Sequence, residues 1–415
     1  MNSLMVRMLR GIVKMGRLTL VAHDGSSFEI GDLSAPAVVM RLHDRRVAFD
    51  LLRDPQMALG ELYMDGRFTV QNGDIADLLG LFARNLGTGS GGGHLLWLAR
   101  LRALGRRLNP RNSGARAKRN VAHHYDLSSG LYDLFLDHDK QYSCAFFEAP
   151  DETLEAAQLN KKRRIAAKLA LEPGQTVLDI GSGWGGLGMF LAASAAVDVT
   201  GVTLSSEQLK VANARAASIG LADRVRFRLE DYSGVAGTFD RIVSVGMFEH
   251  VGVAQYDAFF QRVGQLLNDD GVALVHSIGR SDGPGTTNPW IAKYIFPGGY
   301  VPALSEVLPA VERAGLIVTD IEILRLHYAR TLSEWRRRFV ANWDRAKRLY
   351  DERFCRMWEF YLAGAEMAFR YQGQMVFQMQ LAKRGDALPT VRDYMMPASV
   401  AAQGFVEHPA AGARP

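Results

Sequence analysis

The stretch VLDIGSGWGG at 177–186 decides the fold. An apolar run ends in Asp179 and Ile180, then passes through Gly181, Ser182, Gly183, Trp184, Gly185 and Gly186 into a long apolar segment. Glycines let the backbone turn sharply and approach a ligand closely, and the first residues of a helix offer N–H groups that the helix itself leaves unbonded. A strand, a glycine turn and a helix in this order are how doubly wound α/β sheets bind nucleotide-like ligands. A turn that binds nothing would not need four glycines in six residues.

The GxGxxG outline alone is weak, because loops for dinucleotides and for S-adenosylmethionine both fit it. Here an acidic residue stands two positions ahead of the first glycine, which resembles the methyltransferase form. S-adenosylmethionine is therefore the expected cofactor, with Asp179, Gly181, Ser182, Gly183, Trp184 and Gly185 around it. Outward from the loop, strand-like runs at 176–180, 198–203, 224–229, 240–245, 271–278, 316–324 and 375–383 alternate with helical patterns. The alternation predicts an α/β protein, and seven strands fit a Rossmann-like class I methyltransferase domain, assigned to 120–390. Such folds usually end the second strand on an acidic residue that holds the ribose. This chain has GVTLSSEQ (201–208) instead, so Thr203, Leu204, Ser205 and Gln208 are expected there. Glu230 and Asp231, in LEDY after the third strand, are expected at the adenine end; a solvated strand-end pair is the alternative.

The chain has 415 residues, 48% apolar and 22% charged, enough for more than one core. No apolar run reaches the roughly 18 residues that cross a bilayer; the longest, LGMFLAASAAV at 187–197, stops at Asp198. The first residues lack the apolar stretch and cleavage site of a secretory signal. Two cysteines, Cys144 and Cys355, make no disulfide framework, so a cytoplasmic location is expected. Residues 1–86 predict a small α+β domain. Its strand-like runs are LTLVAH (18–23), SSFEIG (26–31), AVVMRLH (37–43) and RVAFDLL (46–52), with a turn at His23, Asp24 and Gly25 and a helix around 74–85. GTGSGGG (87–93) reads as a hinge.

The net charge of +5 is unevenly spread. No acidic residue lies between Asp77 and Asp126, whereas Arg84, Arg100, Arg102, Arg106, Arg107, Arg111, Arg116, Lys118 and Arg119 are basic. Trp97, Leu101, Leu104 and Leu108 share one stripe with Arg102 and Arg106 opposite. The linker at 87–119 thus suits an anionic membrane surface, with a packed connecting helix as the alternative. Nucleic acid is not expected, since no base-stacking or groove-reading motif accompanies the charge. Residues 391–415 read as a tail.

Seven strings coincide along the chain: HHYDLSSGLYDLFLD (123–137), YSCAFF (142–147), VLDIGSGWGG, GVTLSSEQ, VGMFEHVG (245–252), HSIG (276–279) and WIAKYIFPGGYVP (290–302). Together they resemble the cyclopropane-fatty-acyl-phospholipid synthase family, which includes mycolic acid cyclopropane synthases and acyl-chain methyltransferases, over about 120–385. By pattern and position the first 90 residues look like the lipid-binding N-terminal domain of its longer members. The resemblance implies transfer of a methyl group from S-adenosylmethionine to the cis double bond of an unsaturated phospholipid acyl chain, at the anionic inner face of the cell membrane. The product would carry a cyclopropane ring. A homodimer is expected and no metal.

An isolated alkene has no proton whose removal would activate it, so the chemistry begins with alignment in a dry pocket. After transfer the positive charge lies on a lipid carbon, and a base must take a proton from the new methyl group. The resemblance implies a bound bicarbonate as that base, with Glu249, His276, the backbone of Ile278, Tyr328 (in LHYARTL) and Cys144 as its shell. Their roles would be hydrogen bonding and charge placement, not covalent attack. Tyr142 and Ser143 resemble the family's cofactor lid, and His250 is expected to point away. Each candidate also has a plainer reading: a helix cap, a satisfied core histidine, a packed aromatic or an inert thiol.

Many relatives carry a cysteine where this chain has Ala365, which argues against a covalent-cysteine route. Phe354, Trp358, Phe360, Tyr361, Phe369 and Tyr371 line an acyl tunnel or are plain core. Three other readings stay open. Loss of a different proton would give methylene- or methyl-branched chains; the chain would otherwise be a noncatalytic lipid- and cofactor-binding regulator, or a soluble small-molecule methyltransferase.

Overall fold

Helix α1 (Asn2–Ile12) leads into a small sheet of β1 (Arg17–Val21), β2 (Ser27–Gly31), β3 (Val38–Leu42) and β4 (Phe68–Gln71), ordered β2-β1-β3-β4. β1 and β2 form a hairpin whose turn needs Gly25 at φ +85°, with its N–H bonded to the Ala22 carbonyl at 2.9 Å. α2 (Val47–Arg53) and α3 (Pro55–Met64) connect β3 to β4. Pro55 cannot continue α2, and Asp54 before it caps α3 by accepting from the Met57 N–H. α4 (Ile75–Leu86) opens on a capping box between Asp74 and Asp77. The run 46–52, expected as a strand, is α2. Val47, Ala48 and Leu51 are buried on one side while Asp50 reaches Arg67 at 2.9 Å, a spacing that satisfies a helical period and not strand alternation. The sequence reading passed over α1 and the four-residue β4, the latter too short to display a period.

The computed structural model describes residues 2–34, 36–87 and 129–396, so most of the hinge, the basic linker, the start of the HHYDLSSGLYDLFLD motif and the tail beyond 396 lie outside the described residues. The second part of the chain begins with α5 (Ser129–Tyr132) and α6 (Leu154–Lys168). There follow β5 (Thr176–Ile180), α7 (Gly186–Ala195), β6 (Asp198–Thr203), α8 (Ser206–Ser218), β7 (Val225–Leu229), β8 (Phe239–Val245), α9 (Tyr256–Leu266) and β9 (Leu267–Arg280). α10 (Pro289–Tyr294), α11 (Leu304–Arg313), β10 (Ile317–Ile323), α12 (His327–Ala341), α13 (Trp343–Leu349), α14 (Glu352–Tyr371) and β11 (Gln374–Ala382) complete it. The strand order is β10-β11-β9-β8-β5-β6-β7, with only β11 running against its neighbours. This is the Rossmann-like sheet of class I methyltransferases, and each of the seven expected strands is present. β5 sits between β6 and β8, where the winding reverses and a crevice opens beyond the carboxyl ends.

One hydrophobic cluster joins the small sheet to the helices behind the large one. It runs from Leu18, Leu20, Ile30 and Leu78 through Leu131, Phe135, Trp290 and Trp335 to Trp358 and Leu362. α14 is its spine, packing on α3, α4 and α12. Polar contacts cross the same seam: the Tyr63 hydroxyl donates to Glu359 at 2.6 Å and Arg336 pairs with Asp74 at 2.6 Å. Gly60 of α3 leaves room for the Trp290 indole, since a Cβ there would lie 2.3 Å from its Nε1. Among the described residues no helix is long and apolar enough to cross a membrane.

Candidate active site

β5 delivers Asp179 to the crevice, and the turn after it is built on positive φ at Gly181 (+85°), Gly183 (+54°) and Gly185 (+82°). The Gly181 and Ser182 N–H groups both donate to the Val202 carbonyl at the end of β6, at 2.9 and 3.0 Å, which ties the turn to the neighbouring strand. A side chain at Gly185 would strike Phe227, 2.6 Å from the added Cβ, whereas a Cβ at Gly183 meets nothing within 4 Å. The turn thus borders a cavity of about 650 Å³.

Of the residues expected around the cofactor, Tyr142, Ser143, Asp179, Gly181, Ser182, Gly183, Trp184, Thr203, Leu204, Gln208, Glu230 and Asp231 line this cavity. Gly185 and Ser205 stand behind it. Gly185 starts α7, and Ser205 caps α8 by accepting from the Gln208 N–H at 3.3 Å. Thr203 donates to the Gln208 amide oxygen at 2.9 Å, so these two side chains are held as a unit at the end of β6, where the chain has no acidic residue. Asp179 Oδ2 and Ser182 Oγ are buried with no hydrogen-bond partner among the described residues. Burial pushes the Asp179 carboxyl up to about 7, opposed by the nearby Lys161 ammonium. Unsatisfied polar atoms beside a glycine turn, in a cavity of this size, fit a ligand with hydroxyls and charge such as S-adenosylmethionine.

The wall that carries Tyr142 and Ser143 is a loop tied down by α6. Gln158 donates to the Gln141 and Ser143 carbonyls at 3.2 and 3.0 Å, and Lys161 donates to Gln141 Oε1 at 2.6 Å and Ser143 Oγ at 2.8 Å. Lys161 is 0% exposed, and burial lowers its ammonium to about 8. Sequence reading missed it, because in KKRR (161–164) it looks like one more solvated charge.

None of the five catalytic candidates is among the described residues that line the cavity, although Cys144 and Glu249 are the chain neighbours of Ser143 and His250, which do. Glu249 Oε1 accepts the Ile278 N–H at 2.7 Å, while Oε2 is buried without a partner among the described residues. The Ile278 N–H is therefore committed to Glu249 and not offered to a guest. Burial drives the Glu249 carboxyl up to about 7, against the lowering effect of that N–H. His276 is 2% exposed with Nδ1 at 3.1 Å from the Gln378 amide nitrogen, and burial together with Lys161 and Lys168 holds it well below the usual histidine range. Cys144 is fully buried with its thiol toward the Ala145 carbonyl at 3.3 Å; burial raises it well above its ordinary value, so it stays protonated.

Tyr328 packs on Phe369 at 4.8 Å and edge-on to Trp335, on which cavity-lining Tyr142 also stacks. His250, expected to point away, lines the cavity. The short helical turn at Phe248–His250 sends consecutive side chains to different sides, Glu249 toward Ile278 and His250 toward the cavity. Burial lowers His250 to about 4, so it is neutral.

The aromatic residues of α14 are mostly packed. Phe354 stacks on Trp358, Phe360 meets Trp290 edge-on at 4.8 Å, and Tyr371 lies under Arg84. Tyr361 reaches the cavity wall through a 2.9 Å hydroxyl bond to Tyr142. Ala365 is half-buried against the same core.

Residues 112–379 match the family model of mycolic acid cyclopropane synthetase. The chain is 37% identical over 353 residues to the cyclopropane-fatty-acyl-phospholipid synthase of Escherichia coli K12, covering 84% of this chain and 89% of that protein. It is 36% identical over 363 residues to a probable fatty acid methyltransferase of Pseudomonas putida, covering 85% and 88%. Among solved structures, the mycolic acid cyclopropane synthase CmaA1 complexed with SAH and CTAB superposes with a TM-score of 0.61 at 36% identity, over 64% of this chain and 97% of that one. The glycine turn, the cavity and these matches agree: the chain belongs to the mycolic acid cyclopropane synthetase family and is an S-adenosylmethionine-dependent methyltransferase.

Proposed function

We propose that this methyltransferase acts on the cis double bond of unsaturated phospholipid acyl chains and forms a cyclopropane ring. The observation that carries the reading is a carboxyl group, Glu249, buried beside the cofactor cavity with one oxygen unsatisfied among the described residues and raised by burial to about 7, so that its protonated form is present at neutral pH. A group of this kind can hold an anion by donating to it, whereas an ionised carboxylate would repel one. S-adenosylmethionine, when bound, supplies an electrophilic methyl group on sulfur. Asp179, Ser182 and the Thr203–Gln208 pair orient the cofactor, while Tyr142 and Ser143 close the wall against water. Glu249, His276, Tyr328 and Cys144 are the residues that would hold a bicarbonate, whose chemistry there is that of a base. Cys144, protonated and buried with its thiol donating to the Ala145 carbonyl, does not attack.

The E. coli relative carries the phospholipid substrate class in its name and the P. putida relative a fatty acid, which supports an acyl chain here. In this reading residues 1–86 are the lipid-binding part, and the linker at 87–119 holds a homodimer to the inner face of the cell membrane without any nucleic acid partner. Incubation of the full chain with S-adenosylmethionine and vesicles of unsaturated phospholipid should add one CH₂ per modified acyl chain by mass spectrometry. Proton NMR of the product should show cyclopropane resonances; methylene or methyl branches would move the assignment to the branched-chain reaction, and cofactor binding without any mass change would end the acyl-chain reading.

A further inference from the structure

His276 stands in a row of side chains that crosses four strands. Glu322 of β10 is opposite Gln378 of β11, Gln378 is opposite His276 of β9, and His276 is opposite Val245 of β8. Directly opposed residues share a face of the sheet, and Val245 lines the cofactor cavity. Lys168, the last residue of α6, lies over this row and is 2% exposed. Its ammonium donates to Glu322 Oε2 at 2.5 Å and to Gln378 Oε1 at 2.7 Å, and the Gln378 amide nitrogen lies 3.1 Å from His276 Nδ1. Arg164 holds the other Glu322 oxygen at 2.5 Å.

The donor and acceptor inventory then fixes every proton in the row. An ammonium only donates, so the Gln378 atom facing Lys168 is the carbonyl oxygen, and its NH₂ is left to face the imidazole. An NH₂ also only donates, so His276 Nδ1 accepts and carries no proton; the neutral ring has its N–H at Nε2. A proton on Nδ1 would set two donors against each other in a buried site that already faces the Lys161 and Lys168 cations. The Glu322 carboxylate does not relieve this, being engaged by Arg164 and Lys168.

We propose that Lys168 and Gln378 are positioning residues that lock His276 as the neutral Nε2–H tautomer, so that it serves the site as a hydrogen-bond donor and never as the base. The inference rests on the reading above that His276 borders the reacting atoms. It implies that the proton lost from the new methyl group goes to another acceptor.

Long-range ¹H–¹⁵N correlation of the full chain labelled at histidine, with His276 assigned from its loss in His276→Asn, reads the tautomer without any substrate. A pyridine-like Nδ1 and a protonated Nε2 are expected, unchanged across roughly pH 5 to 8; an imidazolium or an Nδ1–H ring in the wild type overturns the proposal. Gln378→Glu keeps the size and the Lys168 contact but can accept from Nδ1. The proton should then appear on Nδ1, and kcat on unsaturated vesicles should fall about 10-fold or more while the KM for S-adenosylmethionine stays unchanged. Lys168→Met frees the Gln378 amide to turn and should give mixed tautomers, which covers the case of Gln378→Glu failing to fold. A tautomer that moves with no change in kcat overturns the positioning role and leaves methyl transfer standing. A wild type that methylates no lipid defeats the proposed function, and the NMR measurement still decides the row.

Discussion

At the scale of single residues, Asp179 inside the cavity and Glu249 beside it are buried carboxyls that each keep one oxygen unsatisfied among the described residues. Glu249→Gln should leave S-adenosylmethionine binding intact by calorimetry while turnover falls by about 100-fold or more; undiminished turnover removes Glu249 from the site. The same variant tests the titration. Burial raises the folded-state carboxyl from its ordinary value of 4.5 to about 7, so the stability tied to its neutral form is complete below the unfolded value and lost as pH rises through about 7. Glu249→Gln cannot lose it. Its melting temperature relative to the wild type should therefore climb between pH 5 and pH 8, and a constant difference would contradict the burial of this charge. Asp179 was legible because its place before a glycine turn is local. Lys161 and His250 were not, because a run of basic residues and a histidine next to a glutamate have no side until the fold assigns one.

At the scale of elements, the alternation of strand-like runs with helical patterns and the placement of the glycines predicted all seven strands of the large sheet, from the wholly buried core of β9 to the alternating β7 and the half-covered β10 at the edges. The failure at α2 has a local cause: Val47, Ala48, Phe49, Leu51 and Leu52 are apolar enough for either period, and the choice depends on what covers them. The meeting of α3 with α10 is set by one missing side chain. Gly60→Ala puts a methyl group into the Trp290 indole and should cost about 1–3 kcal/mol in denaturant unfolding. An unchanged midpoint would mean that α3 does not press on Trp290 as described.

At the scale of the whole molecule, the small sheet and the helices behind the large one share a hydrophobic cluster instead of burying separate ones. Heat should then unfold residues 1–86 and the methyltransferase part in one cooperative transition by calorimetry. Two separated transitions would show that each part carries its own stability. The basic linker at 87–119 belongs to this scale as well, although it lies almost wholly outside the described residues. Replacing Arg102, Arg106 and Arg107 with glutamine should weaken sedimentation with anionic vesicles, more at low salt than at high, because the attraction is screened. Equal binding at every ionic strength would return the segment to a mere connection.

The sequence by itself determined the glycine turn, the alternating sheet, the absence of an acidic residue at the end of β6, and the family. These depend on backbone conformation and periodicity, which act over a few residues. Only the tertiary structure decided which polar groups lose their water. It buried Lys161 under the cofactor wall, turned His250 inward, gave the Ile278 N–H to Glu249, and aligned Glu322, Lys168 and Gln378 behind His276 from four separate segments of the chain. Desolvation and proton placement follow from those neighbours, and no local pattern encodes them.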